Sequence, residues 1–178
     1  MKRYHPALVA LHWILAIAVL LLLFGGSQLL APLPSDDPQK LMGMKGHIIL
    51  ANLAFALMTL RLIVRLKTKK PEDADTGFAL LNKAAKMAHY FLYLMVFAMV
   101  ASGWAMVITA GLTDSLLDNP GASIPEDLTV YPARVAHGVF ATILAVLILG
   151  HFLAALYHQF VRKDHLFSRM WFGNRGGD

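Results

Sequence analysis

The stretch that decides the fold is Tyr131–Val161, YPARVAHGVFATILAVLILGHFLAALYHQFV. It is apolar along nearly its whole length, and its histidines are His137, His151 and His158, spaced by fourteen and then seven residues. An α-helix turns about 100° per residue, so fourteen residues fall about 40° short of whole turns and seven about 20° short. All three imidazoles therefore share one stripe. At about 1.5 Å per residue, His137 and His151 stand roughly 21 Å apart, one near each face of a bilayer whose hydrocarbon core is about 30 Å thick. Histidines inside a membrane are costly to keep and mark function by default.

The rest of the chain has the same character. Of its 178 residues, 57% are hydrophobic and 15% charged, with a mean hydropathy of +0.57. A soluble domain is nearer to about half apolar and about a quarter charged. Besides Tyr131–Val161, the runs Pro6–Ala31, Leu41–Leu66 and Met87–Leu112 each exceed the roughly 20 residues that a spanning helix needs. The expected fold is all-α, an integral membrane four-helix bundle. Residues 1–178 form a single transmembrane domain with helices near 6–31, 41–66, 87–112 and 131–161. Chemistry that needs a large water-soluble cleft has no place to sit. The absence of cysteine excludes a disulfide framework, thiolate-ligated iron–sulfur clusters and covalently attached c-type haem.

The net charge of +5 does not mean nucleic acid, because the charges sort by membrane side. One side collects Lys2 and Arg3, then Arg65, Lys67, Lys69, Lys70, Lys83 and Lys86, then Arg162, Lys163, Arg169 and Arg175. The other side has Lys40, Lys45 and Arg134 against Asp36, Asp37, Asp114, Asp118, Glu126 and Asp127. The excess of Lys and Arg predicts that both termini are cytoplasmic.

Met1-Lys2-Arg3 before an apolar stretch resembles a signal peptide, but the length of the run and His12 within it predict a retained helix. Pro6 suits a first helical position, and Trp13 suits an interfacial belt. The helix is expected to stop near Gly25-Gly26 or by Pro32, and Pro32–Gln39 reads as a loop too rich in proline to be helical. Gly46, just before His47, leaves backbone room for a bulky planar group. Arg61 follows His47 by fourteen residues and has two readings: it snorkels to the inner surface with Arg65, or it pairs with a buried anion such as a haem propionate. A short surface helix is expected over Gly77–Lys86, ahead of the third span. Ser102-Gly103 is a small-residue patch that permits close packing. Thr113–Val130 reads as an acidic loop with Pro120, Gly121 and Pro125, and Pro132 opens the fourth helix. No repeat or low-complexity tract is present.

Sorted by depth, His47 and His137 lie near the outer face. His12 and His151 lie near the inner face, with His89 and His158 closer to the interface. Each side thus offers an imidazole pair drawn from two helices, which is the donor set for iron in a flat macrocycle held between facing helices. Zinc favours three or four clustered protein ligands, and no acid or thiol stands inside the membrane to complete such a shell. His89 is either a surface group or a group that supports a cofactor-holding residue. His5 and His165 read as solvated.

Leu11-His12-Trp13, Lys45-Gly46-His47, His89-Tyr90-Phe91-Leu92-Tyr93-Leu94, Ala136-His137, Gly150-His151 and His158, with Arg162-Lys163-Asp164 and Arg169-Met170, together resemble the bacterial cytochrome b561 family. The resemblance spans nearly the whole chain. The fourteen-residue histidine spacing also recurs in the cytochrome b subunits of membrane formate dehydrogenases and nickel–iron hydrogenases, so fold alone does not name a partner.

The resemblance implies two non-covalent b-type haems. His12 and His151 would hold the cytoplasmic-side haem iron, and His47 and His137 the periplasmic-side haem iron. His158 matches a position implicated in contacting quinone, where an imidazole that titrates near neutrality can relay a proton. Lys163 or Arg162 would offset negative charge on the quinone. The implied function is transmembrane electron transfer, a quinone-linked oxidoreductase that oxidises superoxide outside and reduces ubiquinone inside. Lys40, Lys45 and Arg134 would have to guide the anion against an acidic loop. The alternative is a haem-carrying membrane anchor subunit of a larger dehydrogenase or hydrogenase, fed by a protein electron donor. The short loops offer such a partner little surface. A haem-free transporter would want helices broken at the midplane and inverted repeats. Membrane lipid is the expected surroundings, and no nucleic-acid partner is expected.

Overall fold

The first helix starts where a cap and a proline coincide. Pro6 takes the opening position, and the His5 ring accepts a hydrogen bond from the Ala7 amide at 3.3 Å. His5 is exposed, as expected, and also caps the helix. The computed structural model describes residues 3–69, 71, 77–119 and 123–172. Lys2, Lys70, Pro120, Gly121 and Arg175, used above for charge sorting and the third connection, lie outside the described residues.

Helix α1 spans Pro6–Phe24 and widens into a π-helical turn over Gly25–Leu30. The change of hydrogen-bond pattern begins at the glycine pair expected to end the helix. Helix α2 spans Pro38–Lys67, three residues longer at its start than hydropathy alone suggested. Pro38 and Gln39, expected in a loop, are helical because Asp37 caps the Gln39 amide at 2.8 Å and Pro38 occupies the first turn. Helix α3 spans Ala79–Thr109 as one continuous rod. The separate surface helix before Met87 does not exist: Ala79-Leu80-Leu81-Asn82-Lys83-Ala84-Ala85-Lys86 contains no Gly or Pro and is rich in strong helix formers. The rod ends by Gly111, whose φ of +64° suits a residue without a β-carbon.

Between α3 and the last span lie a short helix α4, Thr113–Leu116, and a 3₁₀ turn, Leu128–Val130. Helix α5 spans Pro132–Leu156 and passes into a second π-helical turn over Tyr157–Arg162. A small helix α6, Leu166–Arg169, follows. Among the described residues all regular structure is helical. Four of the rods are long and apolar enough to cross a membrane: Pro6–Leu30, Pro38–Lys67, Ala79–Thr109 and Pro132–Arg162. The all-α membrane bundle read from the sequence is what the chain forms.

The bundle is built from two closely packed helix pairs, α1 on α2 and α3 on α5, while α2 and α3 meet more sparsely. That thin seam is tied by a polar bond, in which the Trp104 indole N–H donates to Asn52 Oδ1 at 3.1 Å. An apolar plug of Val19, Val96 and Leu144 joins the two pairs at mid-height, with Met58, Met95, Met99 and Ile148 around it. A second plug of Met44, Val107, Ala110, Leu112 and Ile124 closes the end opposite the termini. Outward-facing Ile49, Ile108 and Val146 are 69%, 71% and 65% exposed. A contiguous girdle of such side chains is stable against hydrocarbon and not against water.

Candidate functional site

Between the two helix pairs runs a cavity of about 2170 Å³, lined by His12, His47, His89, His137, His151 and His158 among mainly apolar neighbours. Drug-sized ligands occupy roughly 300–1,000 Å³, so this space suits more than one bulky group. All six membrane histidines singled out in the sequence meet this space.

At the end carrying both termini, α1 and α5 bring His12 and His151 face to edge, with ring centres 6.2 Å apart. The two rings could hold one iron when haem is bound between these helices. His89, on α3, lies 5.3 Å from His151. Its Nδ1 sits 2.7 Å from the Ala85 carbonyl, which can only accept, so Nδ1 carries the proton. His89 is exposed, and its ring also lies beside that of His151.

Arg61 donates to the Tyr93 hydroxyl and lies over that ring, with its guanidinium carbon 5.6 Å from the ring centre; Arg65 covers the same ring at 5.8 Å. The cavity wall here carries Arg65, while Arg61 turns to Tyr93. Both arginines are half-buried.

At the opposite end, His137 is anchored by α3. Ser102 Oγ donates to the Met99 carbonyl at 3.0 Å, so its oxygen is free to accept from His137 Nδ1 at 2.9 Å. That fixes the tautomer and leaves Nε2 as the lone-pair nitrogen, the arrangement metal-bound histidines use. A β-carbon on Gly103 would stand 3.5 Å from His137 Cε1, and one on Gly26 would stand 3.2 Å from His47 Cε1. The Ser102-Gly103 patch does allow close packing, and it also positions a histidine. Gly46 has open space beside it and borders, together with His47, a recess of about 580 Å³, while the glycine packed on the His47 ring is Gly26. Among the described residues, no three histidines and acids converge on a point that would hold a bare metal ion. The donors come in pairs around a roomy apolar space, which fits a macrocycle that brings its own four nitrogens.

The charges expected to guide an anion are partly spent. Lys45 is paired with Asp118 at 2.5 Å, and Lys40 donates to the Leu33 carbonyl at 2.5 Å. Arg134 lines the cavity, together with Glu126 and Asp127. Asp127 stays ionised well below the usual carboxylate range because its oxygens accept from the Thr129 hydroxyl at 2.6 Å and amide at 2.7 Å.

The tail, read above only as basic, folds back across the terminal end. Trp13 donates to the Met170 carbonyl at 2.8 Å and packs edge-on against Phe167 and Trp171. The Tyr4 amide donates to the Arg169 carbonyl at 3.2 Å. His165, expected to be merely solvated, opens α6 in the left-handed region and accepts from Ser168 through its carbonyl. Within this turn Asp164 meets His158 Nδ1 at 2.6 Å. Burial would raise the Asp164 carboxyl, but hydrogen bonds from His158 and the Leu166 amide, with the charges of His158 and Arg162, bring it below its ordinary value. Sequence spacing could not have found this pair, because six residues along an α-helix fall about 120° apart around its axis.

The family profile for prokaryotic cytochrome b561 matches residues 3–173. The chain belongs to that family. Cytochrome b561 homolog 1 of Escherichia coli strain K12 is 26% identical over 96% of this chain and 97% of its own length. A protein of Yersinia pestis described as probable superoxide oxidase CybB is 24% identical over 98% of this chain and 99% of its own. Membership makes this a multi-pass membrane cytochrome of bacterial type that binds haem b and serves electron transport. Its cavity-facing histidines are residues that could hold such a group.

Proposed function

We propose that the protein carries electrons across the membrane between two b-type haems and exchanges them with quinone at the terminal end, acting as a quinone-linked oxidoreductase. The observation that carries this reading is the facing of His12 and His151 across the cavity at 6.2 Å, with His47 and His137 lining the same cavity toward its other end. On this reading His12 and His151 hold one iron, and His47 and His137 the other. Each pair bridges from the α1–α2 pair to the α3–α5 pair, so ligation would also staple the two halves. A bound b-type haem supplies a one-electron Fe(III)/Fe(II) couple.

The chain's own contributions are separate. Ser102 orients His137, the apolar plug of Val19, Val96 and Leu144 keeps water from the middle, and Trp13 with the tail covers the His12 side. His158 lies beyond His151 on the same stripe, where a quinone in the lipid can reach it. The excess of Lys and Arg at the terminal end supports a cytoplasmic placement of that end in the inner membrane. Oxidation of superoxide at the other end is the reading suggested by the Yersinia relative's description. Arg134 is then the cation best placed to receive the anion, since Lys45 is held by Asp118.

The test is a haem count per purified chain, with reduced-minus-oxidised spectra of the wild type, His137→Ala and His12→Ala. Two haems in the wild type and one in each variant are expected. One haem in the wild type, or loss of both in either variant, refutes the pairing. Quinol-driven reduction of the wild type, slowed in His158→Ala with both spectra intact, tests the partner. Co-purification of a stoichiometric iron–sulfur subunit would instead favour the anchor role.

A further inference from the structure

His158 is more tightly organised than a residue that merely faces lipid. It leaves the regular helix inside the π-helical turn Tyr157–Arg162, a distortion that recurs at functional positions. The chain then reverses through Lys163 (φ 55°) and His165 (φ 59°), two non-glycine residues in the left-handed region on either side of Asp164. Such conformations persist only where surrounding contacts over-determine them, and they gather at working sites. Here the contacts are visible. Asp164 Oδ2 meets His158 Nδ1 at 2.6 Å and Arg162 Nε at 3.4 Å, Oδ1 accepts from the Leu166 amide at 3.3 Å, and the Asp164 amide donates to the His158 carbonyl at 3.4 Å. The paired side chains are 17% and 29% exposed, so the bond is shielded but not sealed. The Tyr157 ring, with its centre 5.9 Å from that of His158, stands edge-on beside the imidazole.

We propose that Asp164 is the positioning residue for proton transfer at His158: its carboxylate takes the Nδ1–H, so that Nε2 is the nitrogen that exchanges the proton accompanying quinone turnover. This rests on the quinone reading given above. An ionised carboxylate can only accept, so the neutral ring bonded to it keeps its proton on Nδ1 and its lone pair on Nε2. Protonated at Nε2, the same ring is a cation beside the Asp164 carboxylate.

Reduction of one quinone to quinol takes two electrons and two protons. The electrons come singly from a one-electron donor at the far end, two donor molecules each being oxidised by one electron. One proton passes from His158 Nε2 to a quinone oxygen, leaving the Nδ1–H neutral ring, and the other comes from water at the terminal-end surface. The reverse flow uses the same two groups. Arg162 offsets part of the Asp164 charge and keeps the carboxylate in place.

The experiment uses the full chain, loaded with haem in detergent, a short-chain ubiquinol as probe with oxidised cytochrome c in excess as the one-electron acceptor, and the variants Asp164→Asn and Asp164→Glu. Asp164→Asn is expected to keep the wild-type haem content and spectra while kcat falls at least tenfold and KM moves less than twofold. Asp164→Glu is expected to recover much of the rate. Independently of turnover, ¹⁵N histidine NMR should show His158 as the Nδ1–H tautomer in the wild type and as a tautomer mixture in Asp164→Asn. An Asp164→Asn protein with wild-type kcat, one that loses haem, or one whose His158 tautomer is unchanged overturns the proposal. A wild type that does not react with ubiquinol refutes the quinone reading instead, and the tautomer measurement then still decides whether Asp164 sets the ring.

Discussion

Replacing Ser102 by alanine tests whether the histidine at the loop end is held for ligation. Ser102 is 7% exposed and its oxygen accepts from His137 Nδ1 at 2.9 Å. A net hydrogen bond of this kind contributes about 1 kcal/mol, equivalent to about fivefold in an equilibrium constant. Removing an outer-sphere partner of a metal-bound histidine typically weakens metal affinity by about 10–100-fold. The two ranges meet near tenfold, and the effect is confined to one site, because the structure gives the terminal-end histidines no contact with Ser102. Transfer of haem from the purified variant to an excess of apo-globin, followed spectrally, should show one of two haems leaving about tenfold faster and the other at the wild-type rate. Equal loss of both haems, or no change in either, refutes the claim that Ser102 sets the His137 ring.

Further outcomes follow from single contacts. Gly26→Val should cost the haem on the His47 side alone, because the added methyls extend from a β-carbon already 3.2 Å from that ring; a haem count checks it. Asp118→Asn should free Lys45 and raise the rate of reduction by superoxide several-fold at low ionic strength, with the gain vanishing near 1 M salt, where the screening length is about 3 Å. Stopped-flow rates against salt measure it. The sign of the pH effect at the tail follows from Asp164, whose folded value lies below its ordinary 3.8. Its contribution is fully present above 3.8 and is lost as pH falls through the depressed value, so tryptophan fluorescence from Trp13 and Trp171 should stay constant down to about pH 4 and change below it.

Hydropathy and helical period were enough to read four spanning rods, the shared stripe of His137, His151 and His158, and the inward sorting of His12 and His47. These properties repeat along a rigid helix, so counting residues suffices. Helix ends were less legible. Asp37-Pro38 and the alanine- and lysine-rich 79–86 segment start their helices through capping and propensity, which a search for apolar runs passes over.

The site needed the third dimension. Ser102 and His137 are 35 residues apart in the chain, and Trp13 and Met170 are 157 apart. No pattern along the sequence brings such groups to hydrogen-bonding distance; the packing of α3 on α5 and the return of the tail do so. Asp164 is the sharpest case. Only six residues separate it from His158, yet a regular helix would hold the two apart, and it takes a π-helical turn and a left-handed reversal to join them. Period and composition thus set which side chains the membrane hides, because those depend on one helix at a time. Which nitrogen His137 and His158 offer was decided by Ser102 of α3 and by Asp164 of the tail, because a tautomer is set by whatever group lies against the other nitrogen.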